Sequence, residues 1–173
     1  KVMKAATPKI SGALAVGATL KLIRGTWTSK VSFSYQWPRD GEPIPRATRT
    51  SYRLTSSEAG KSITVLVNGK KSRYATVAIT STVTAKVMSA TPPTISGTKR
   101  VGKTLTASPG EWSTGTTLSY QWYASGRAIS KANGESFTLT KSQKGKTITV
   151  KATGRQAGYA TISKTSKATS RVT

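Results

Sequence analysis

Shifting this chain by 85 residues lays it on itself without a gap, and 38 of the 88 overlapping positions are then identical. Ile10-Ser11-Gly12 falls on Ile95-Ser96-Gly97, Ser34-Tyr35-Gln36-Trp37 on Ser119-Tyr120-Gln121-Trp122, and Ile63-Thr64-Val65 on Ile148-Thr149-Val150. An ungapped duplication of this length means two copies of one folding unit, each with its own core. A unit of that size is small but within the range that folds alone. The register reaches the ends, where Lys1-Val2-Met3 matches Lys86-Val87-Met88 at the close of the first copy. Residues 1–4 are therefore expected to be the tail of a preceding repeat or a linker, with repeat one at 5–88, repeat two at 89–173, and an array longer than two copies. The sequence starts at Lys1, without Met, and reads as a piece of a longer protein.

Within each copy the apolar pattern has period two. Phe33, Tyr35 and Trp37 alternate with Ser34 and Gln36, and Leu118, Tyr120 and Trp122 do the same. Ile63, Val65 and Val67 alternate with Thr64 and Leu66. Such alternation describes strands with one buried face. Glycine-containing turn signals at Ser11-Gly12, Val16-Gly17, Asp40-Gly41, Glu58-Ala59-Gly60 and Asn68-Gly69 cut the chain into short pieces. The fold class expected is all-β: two tandem immunoglobulin-like β-sandwich domains, each of about seven short strands and with no disulfide. Trp37 and Trp122, in mid-strand, are the expected core anchors. Trp27 and Trp112, each at a strand-to-loop transition, are expected to cap the core; as exposed rings, with Tyr123, they would be candidates for stacking on a glycan. The link Ser89-Ala90-Thr91-Pro92-Pro93 is expected to be short and semi-rigid because of its prolines.

The string S-Y-Q-W, followed by Gly41, Ile44 and Ala47, then Tyr52-Arg53-Leu54-Thr55 and Gly60-Lys61-Ser62-Ile63-Thr64-Val65, resembles the bacterial immunoglobulin-like repeats of actinobacterial surface and secreted proteins. The second copy repeats the pattern with Phe137 for Tyr52. The resemblance covers essentially the whole chain, twice. It implies a secreted, cell-wall or cell-surface location and a role in attachment or spacing, often beside a cell-wall hydrolase or another exported enzyme.

Composition removes most chemistry. With no His and no Cys there is no Ser-His relay, no thiolate metal site and no disulfide. The five acids are Asp40, Glu42, Glu58, Glu111 and Glu135, and none has an acid at the matching place in the other copy. A paired-carboxylate hydrolase site is therefore not expected, nor is an oxygen cluster for calcium. No enzyme activity, cofactor or metal is expected, and no run is apolar enough for a membrane-spanning helix.

The remaining signal is charge: 28 Lys and Arg against 5 acids, a formal +23. Residues 1–88 hold 15 cations and 3 acids, and residues 89–173 hold 13 and 2. Self-repulsion on that scale opposes compaction, so a polyanionic partner is the natural complement. The densest groups are Lys70, Lys71 and Arg73, expected on the hairpin of the last two strands, and Lys141, Lys144 and Lys146, expected in the loop entering the penultimate strand. With Arg155 these are the candidate polyanion-binding residues. The expected function is a non-catalytic cationic module that attaches a larger secreted protein to anionic wall polymers such as teichoic acid or peptidoglycan, or to other polyanionic glycans. A spacer with no ligand of its own is the alternative. Nucleic acid is expected to bind only non-specifically, because no groove helix or stacking platform is evident.

Overall fold

The structure, a computed structural model, describes residues 1–173. The chain divides into two compact units. Unit 1 holds Lys1–Met88 with Gly158–Ala160, and unit 2 holds Ser89–Ala157 with Thr161–Thr173.

Unit 1 contains β1 (Lys9–Ser11), β2 (Thr19–Ile23), β3 (Ser32–Gln36), β4 (Pro38–Arg39), β5 (Glu42–Pro43), β6 (Ser51–Arg53), β7 (Leu66–Lys70) and β8 (Val77–Thr80). One antiparallel sheet has the order β1-β2-β6 and the other β3-β7-β8. The β4-β5 hairpin extends the second sheet through a bridge between Arg39 and Ile63. Leu20, Trp37, Leu54, Ile63, Val65 and Val87 fill the space between the sheets. After β8 the chain crosses to pair Met88 in parallel with Ala15, which closes the sandwich edge.

Unit 2 contains β9 (Thr94–Ser96), β10 (Thr104–Ser108), β11 (Thr117–Ala124), β12 (Arg127–Ala128), β13 (Ser136–Thr138), β14 (Ile148–Arg155) and β15 (Ile162–Thr165). Its sheets run β9-β10-β13 and β12-β11-β14-β15. Its core is Leu105, Trp122, Leu139, Ile148, Val150 and Val172, each 85 positions after its unit 1 counterpart. Two antiparallel sheets packed over a buried Trp, Trp122 within β11 and Trp37 between β3 and β4, make each unit an immunoglobulin-like β-sandwich, with three and four strands in unit 2 and three and three plus the β4-β5 hairpin in unit 1.

The repeated string S-Y-Q-W has a local reason. Trp37 is fully buried, yet its indole N–H donates to the Arg49 carbonyl at 2.8 Å; Trp122 does the same to Gly134 at 2.9 Å. A buried indole needs that acceptor. Gln36 donates its amide to the carbonyls of Trp37 and Ile44, and Gln121 to those of Trp122 and Ile129. The glutamine therefore ties the central strand to the hairpin beside it. That hairpin turns through Asp40-Gly41 and Ser125-Gly126, all four at positive φ, which the right-handed twist of a two-residue hairpin requires.

Ser and Thr also do structural work. The N–H of Val65 donates to Ser81 Oγ and that of Ile63 to Thr84 Oγ1; Ser166 and Thr169 serve Val150 and Ile148 in the same way. Hydroxyls thus replace ladder carbonyls where the last strand leaves its neighbour.

One expectation is corrected. Asn68-Gly69 is not a turn but lies inside β7, paired with Ser34 and Phe33. The glycine is there because the Trp27 ring rests on it: a Cβ at Gly69 would meet the ring at 2.5 Å, and one at Gly154 would collide with Trp112. At the start of the link, Ser89–Thr91 are fastened to unit 2. Thr91 donates its N–H to Glu111, Ser113 donates to Ser89, and Ala90 bridges Trp112. Lys4 and Ala6 are bonded to Thr28 and Thr26 in the same pattern, and Met3 is buried.

No helix is long and apolar enough to cross a membrane.

Candidate functional site

Strand β7 runs from the 3-10 turn Ser56–Glu58 at one end of unit 1 to the β7–β8 turn at the other. Lys70 closes β7, and Lys71 and Arg73 lie in that turn. In unit 2, Lys141, Lys144 and Lys146 lie in or just after the matching 3-10 turn Lys141–Gln143, before β14 begins. Arg155 ends β14. The eight residues of β14 therefore separate Lys146 from Arg155 by roughly 25 Å. The candidate cations do not form one site. Lys70, Lys71 and Arg73 mark the loop end of unit 1, whereas Lys141, Lys144 and Lys146 mark the 3-10 end of unit 2, where Lys141 and Lys144 join Arg100 and Val101 around an open hollow of about 750 Å³. Arg155 takes the place of Lys70.

At the loop end of unit 1 the inward-facing row of each sheet runs on past the core. In β2 that row is Leu20, Leu22 and then Arg24 just beyond the strand. The Arg24 guanidinium lies 3.8 Å from the centre of the Phe33 ring and donates to the Tyr35 hydroxyl at 3.2 Å. Trp27 meets Phe33 edge-on, with centroids 5.3 Å apart, and donates its indole N–H to the Arg24 carbonyl. Just beyond β7, Lys71 donates to the Ser29 carbonyl at 2.9 Å and sits 4.7 Å from the centre of the Tyr74 ring. Sequence reasoning missed Arg24; a cation on the inward row of a period-two strand was the signal for it.

Trp27 and Trp112 are both half-buried. Each has a ring face against a glycine of the neighbouring strand, Gly69 or Gly154, and each indole N–H is used, that of Trp112 by the Pro109 carbonyl. Tyr123, half-buried, stands on the opposite side of β11 from Trp122, with the Lys151 ammonium 5.9 Å from its ring centre.

The acids are dispersed, and no three of them converge. Glu58 is buried, accepts from the Thr55 N–H and hydroxyl at 2.8 Å each, and pairs with Arg39 at 3.0 Å. Burial pushes its pKa up, but the two Thr55 bonds, the Tyr52 hydroxyl and Arg39 outweigh this and hold the carboxyl below its ordinary range. Asp40 accepts from the Ser62 N–H and pairs with Lys61 at 3.0 Å; that backbone bond first, then Lys61, lowers its pKa. These two contacts are the only ion pairs, so Arg39 and Lys61 are paired and 26 of the 28 cations have no acidic partner (28 − 2).

No protein-family model matches the sequence, and no curated protein matches it. Solved structures with a similar course of chain include a Ca2+-stabilised adhesin with which an Antarctic bacterium binds ice. It is 10 % identical with a TM-score of 0.37, over 97 % of this chain and 49 % of the adhesin, so this chain spans about half its length. The chicken interferon gamma receptor alpha chain is 12 % identical with a TM-score of 0.38, over 94 % and 98 % of the two chains. The amphioxus IgVJ-C2 molecule is 11 % identical with a TM-score of 0.31, over 98 % and 99 %. The assignment of the fold rests on the strand order and register described above.

Proposed function

We propose that the two units form a non-catalytic, cationic attachment module of a larger secreted protein, holding it to anionic polymers of the cell wall or cell surface through Lys and Arg. The observation that carries this reading is the unpaired charge: 26 of 28 cations face no acid. Cations left without internal partners add little to the stability of the fold and repel one another, so their favourable energy comes from an external polyanion. The scattered acids support a non-catalytic role, since the two best-held carboxylates, Glu58 and Asp40, are engaged by a capping box and a hairpin. The wall or surface location rests on the resemblance of the repeated motifs.

The test is co-sedimentation with purified Gram-positive walls, with and without their teichoic acids, over a series of salt concentrations. Binding lost on stripping and falling steeply with salt is the expected result. No binding to intact walls at low salt overturns the proposal and leaves the spacer. Binding that survives both treatments overturns the electrostatic mechanism in favour of a shaped glycan site.

A further inference from the structure

We infer that the loop end of unit 1, built around Arg24 and Lys71, is a preorganised seat for a base-free phosphodiester chain, such as a polyol phosphate. The inference rests on the polyanion reading above and deepens it by replacing a diffuse coat of charge with one place.

Three observations carry it. The first is that two cations here are held in position. Arg24 is clamped over Phe33 at 3.8 Å and fixed by the Tyr35 hydroxyl, and Lys71 is fixed by the Ser29 carbonyl and the Tyr74 ring. A free lysine or arginine loses rotamer entropy when it grips a ligand, whereas these two are already ordered. Arg24 uses one N–H on Tyr35, leaving other guanidinium donors for a tetrahedral anion, and Lys71 keeps two of its three ammonium donors.

The second is an uncompensated field. The segments 24–32 and 70–76 also bring Lys30, Lys70 and Arg73 to this end and contain no acid, and neither ion pair of the protein involves any of these residues. Unit 2 shows that the fold does not require this arrangement. Where unit 1 has Arg24, Lys30, Lys71 and Arg73, unit 2 has Pro109, Gly115, Gln156 and Gly158, and Glu111 stands in place of Thr26.

The third concerns the rings. Phe33 is covered by Arg24, Tyr74 carries Lys71, and Trp27 lies on Gly69. With one face of each ring taken, this end lacks the row of open ring faces on which the successive bases of single-stranded nucleic acid are usually held. The donors held here suit anionic groups, and a guanidinium and an ammonium suit phosphate.

The experiment titrates the full chain with lipid-free poly(glycerol phosphate) at low and moderate salt. Arg24→Pro with Lys71→Gln, the residues of unit 2 at these places, is expected to weaken binding about tenfold or more, the scale of losing two held phosphate contacts. A control pair of equal charge loss, Lys164→Gln with Lys167→Gln, is expected to weaken it by about twofold or less. Arg24→Lys keeps the charge, removes the planar stack and should lose several-fold with an unchanged melting temperature, which separates a binding defect from a folding one. Equal losses in the two pairs, or full affinity in Arg24→Lys, overturn the inference and leave the polyanion reading intact. No binding by the unaltered chain defeats both. An oligothymidylate or a sulfated polysaccharide that binds as tightly as the polyol phosphate, and is equally weakened by Arg24→Pro with Lys71→Gln, overturns the ligand assignment.

Discussion

The two units share a core and its local fastenings and differ in the charged side chains around them. Leu20, Trp37, Leu54, Ile63, Val65 and Val87 have apolar equivalents of the same type 85 residues on, and even the indole bonds of the central tryptophans are copied. The hairpin beside that tryptophan is copied in register and turn but not in its side chains. Unit 2 runs β11 unbroken through Tyr123 and Ala124, while unit 1 splits the same strand into β3 and β4 at Trp37, just before Pro38, which has no N–H for the ladder. Around this break unit 1 adds charge: Arg39 to Glu58 and Lys61 to Asp40, where unit 2 has Ala124 with Gln143 and Lys146 with Ser125. The fold is thus specified by what the copies keep, and whatever distinguishes them in function must lie in what they change: the hairpin, the loop end of unit 1 and the 3-10 end of unit 2.

The equivalence of the cores meets its hardest test in Trp37→Ala and Trp122→Ala. Each truncation of a fully buried ring is expected to cost its unit about 3–5 kcal/mol. Urea unfolding followed by circular dichroism would measure this, and a much smaller cost in one unit would break the comparison. A smaller effect is expected at the paired glycines. Gly69→Ala and Gly154→Ala each press a methyl group into a tryptophan ring, and about 1–3 kcal/mol should be lost as Trp27 or Trp112 is displaced. The fluorescence of the displaced indole should shift with the melting temperature; an unmoved spectrum would mean that the ring is not seated on the glycine.

The smallest effect sharpens the contrast between Glu58 and Gln143. Both side chains complete the same capping box, Gln143 with a neutral amide. Because the folded state holds the Glu58 carboxyl below its ordinary pKa, its contribution is complete above the usual carboxylate range and is lost as the pH falls through its lowered value. Asp40 acts in the same direction. Acidification should therefore destabilise unit 1 more than unit 2, and Glu58→Gln should shrink that excess while costing about 1 kcal/mol or less at neutral pH. Thermal melts of both proteins across the acid range would decide this, and an unchanged pH dependence in the variant would count against the carboxylate.

Much of this architecture was legible in the chain itself. The 85-residue period, the alternation through Phe33, Tyr35 and Trp37, and the turn at Asp40-Gly41 specify a pair of β-sandwiches, because period-two burial and hairpin chirality are local properties of sequence. The charge excess was legible too, since it is a sum over residues. What only the tertiary structure decided is where things meet. Gly69 looked like a turn because a glycine is read first as a freedom of the backbone; it is a seat for Trp27, a residue 42 positions earlier (69 − 27). The candidate cations looked like one class and fall at opposite ends of different units, since a strand of eight residues separates groups that composition cannot. Arg24 stayed hidden among 28 cations because its distinction is the Phe33 ring beneath it and the Tyr35 hydroxyl at its edge, contacts between sheets that exist only once the chain has folded.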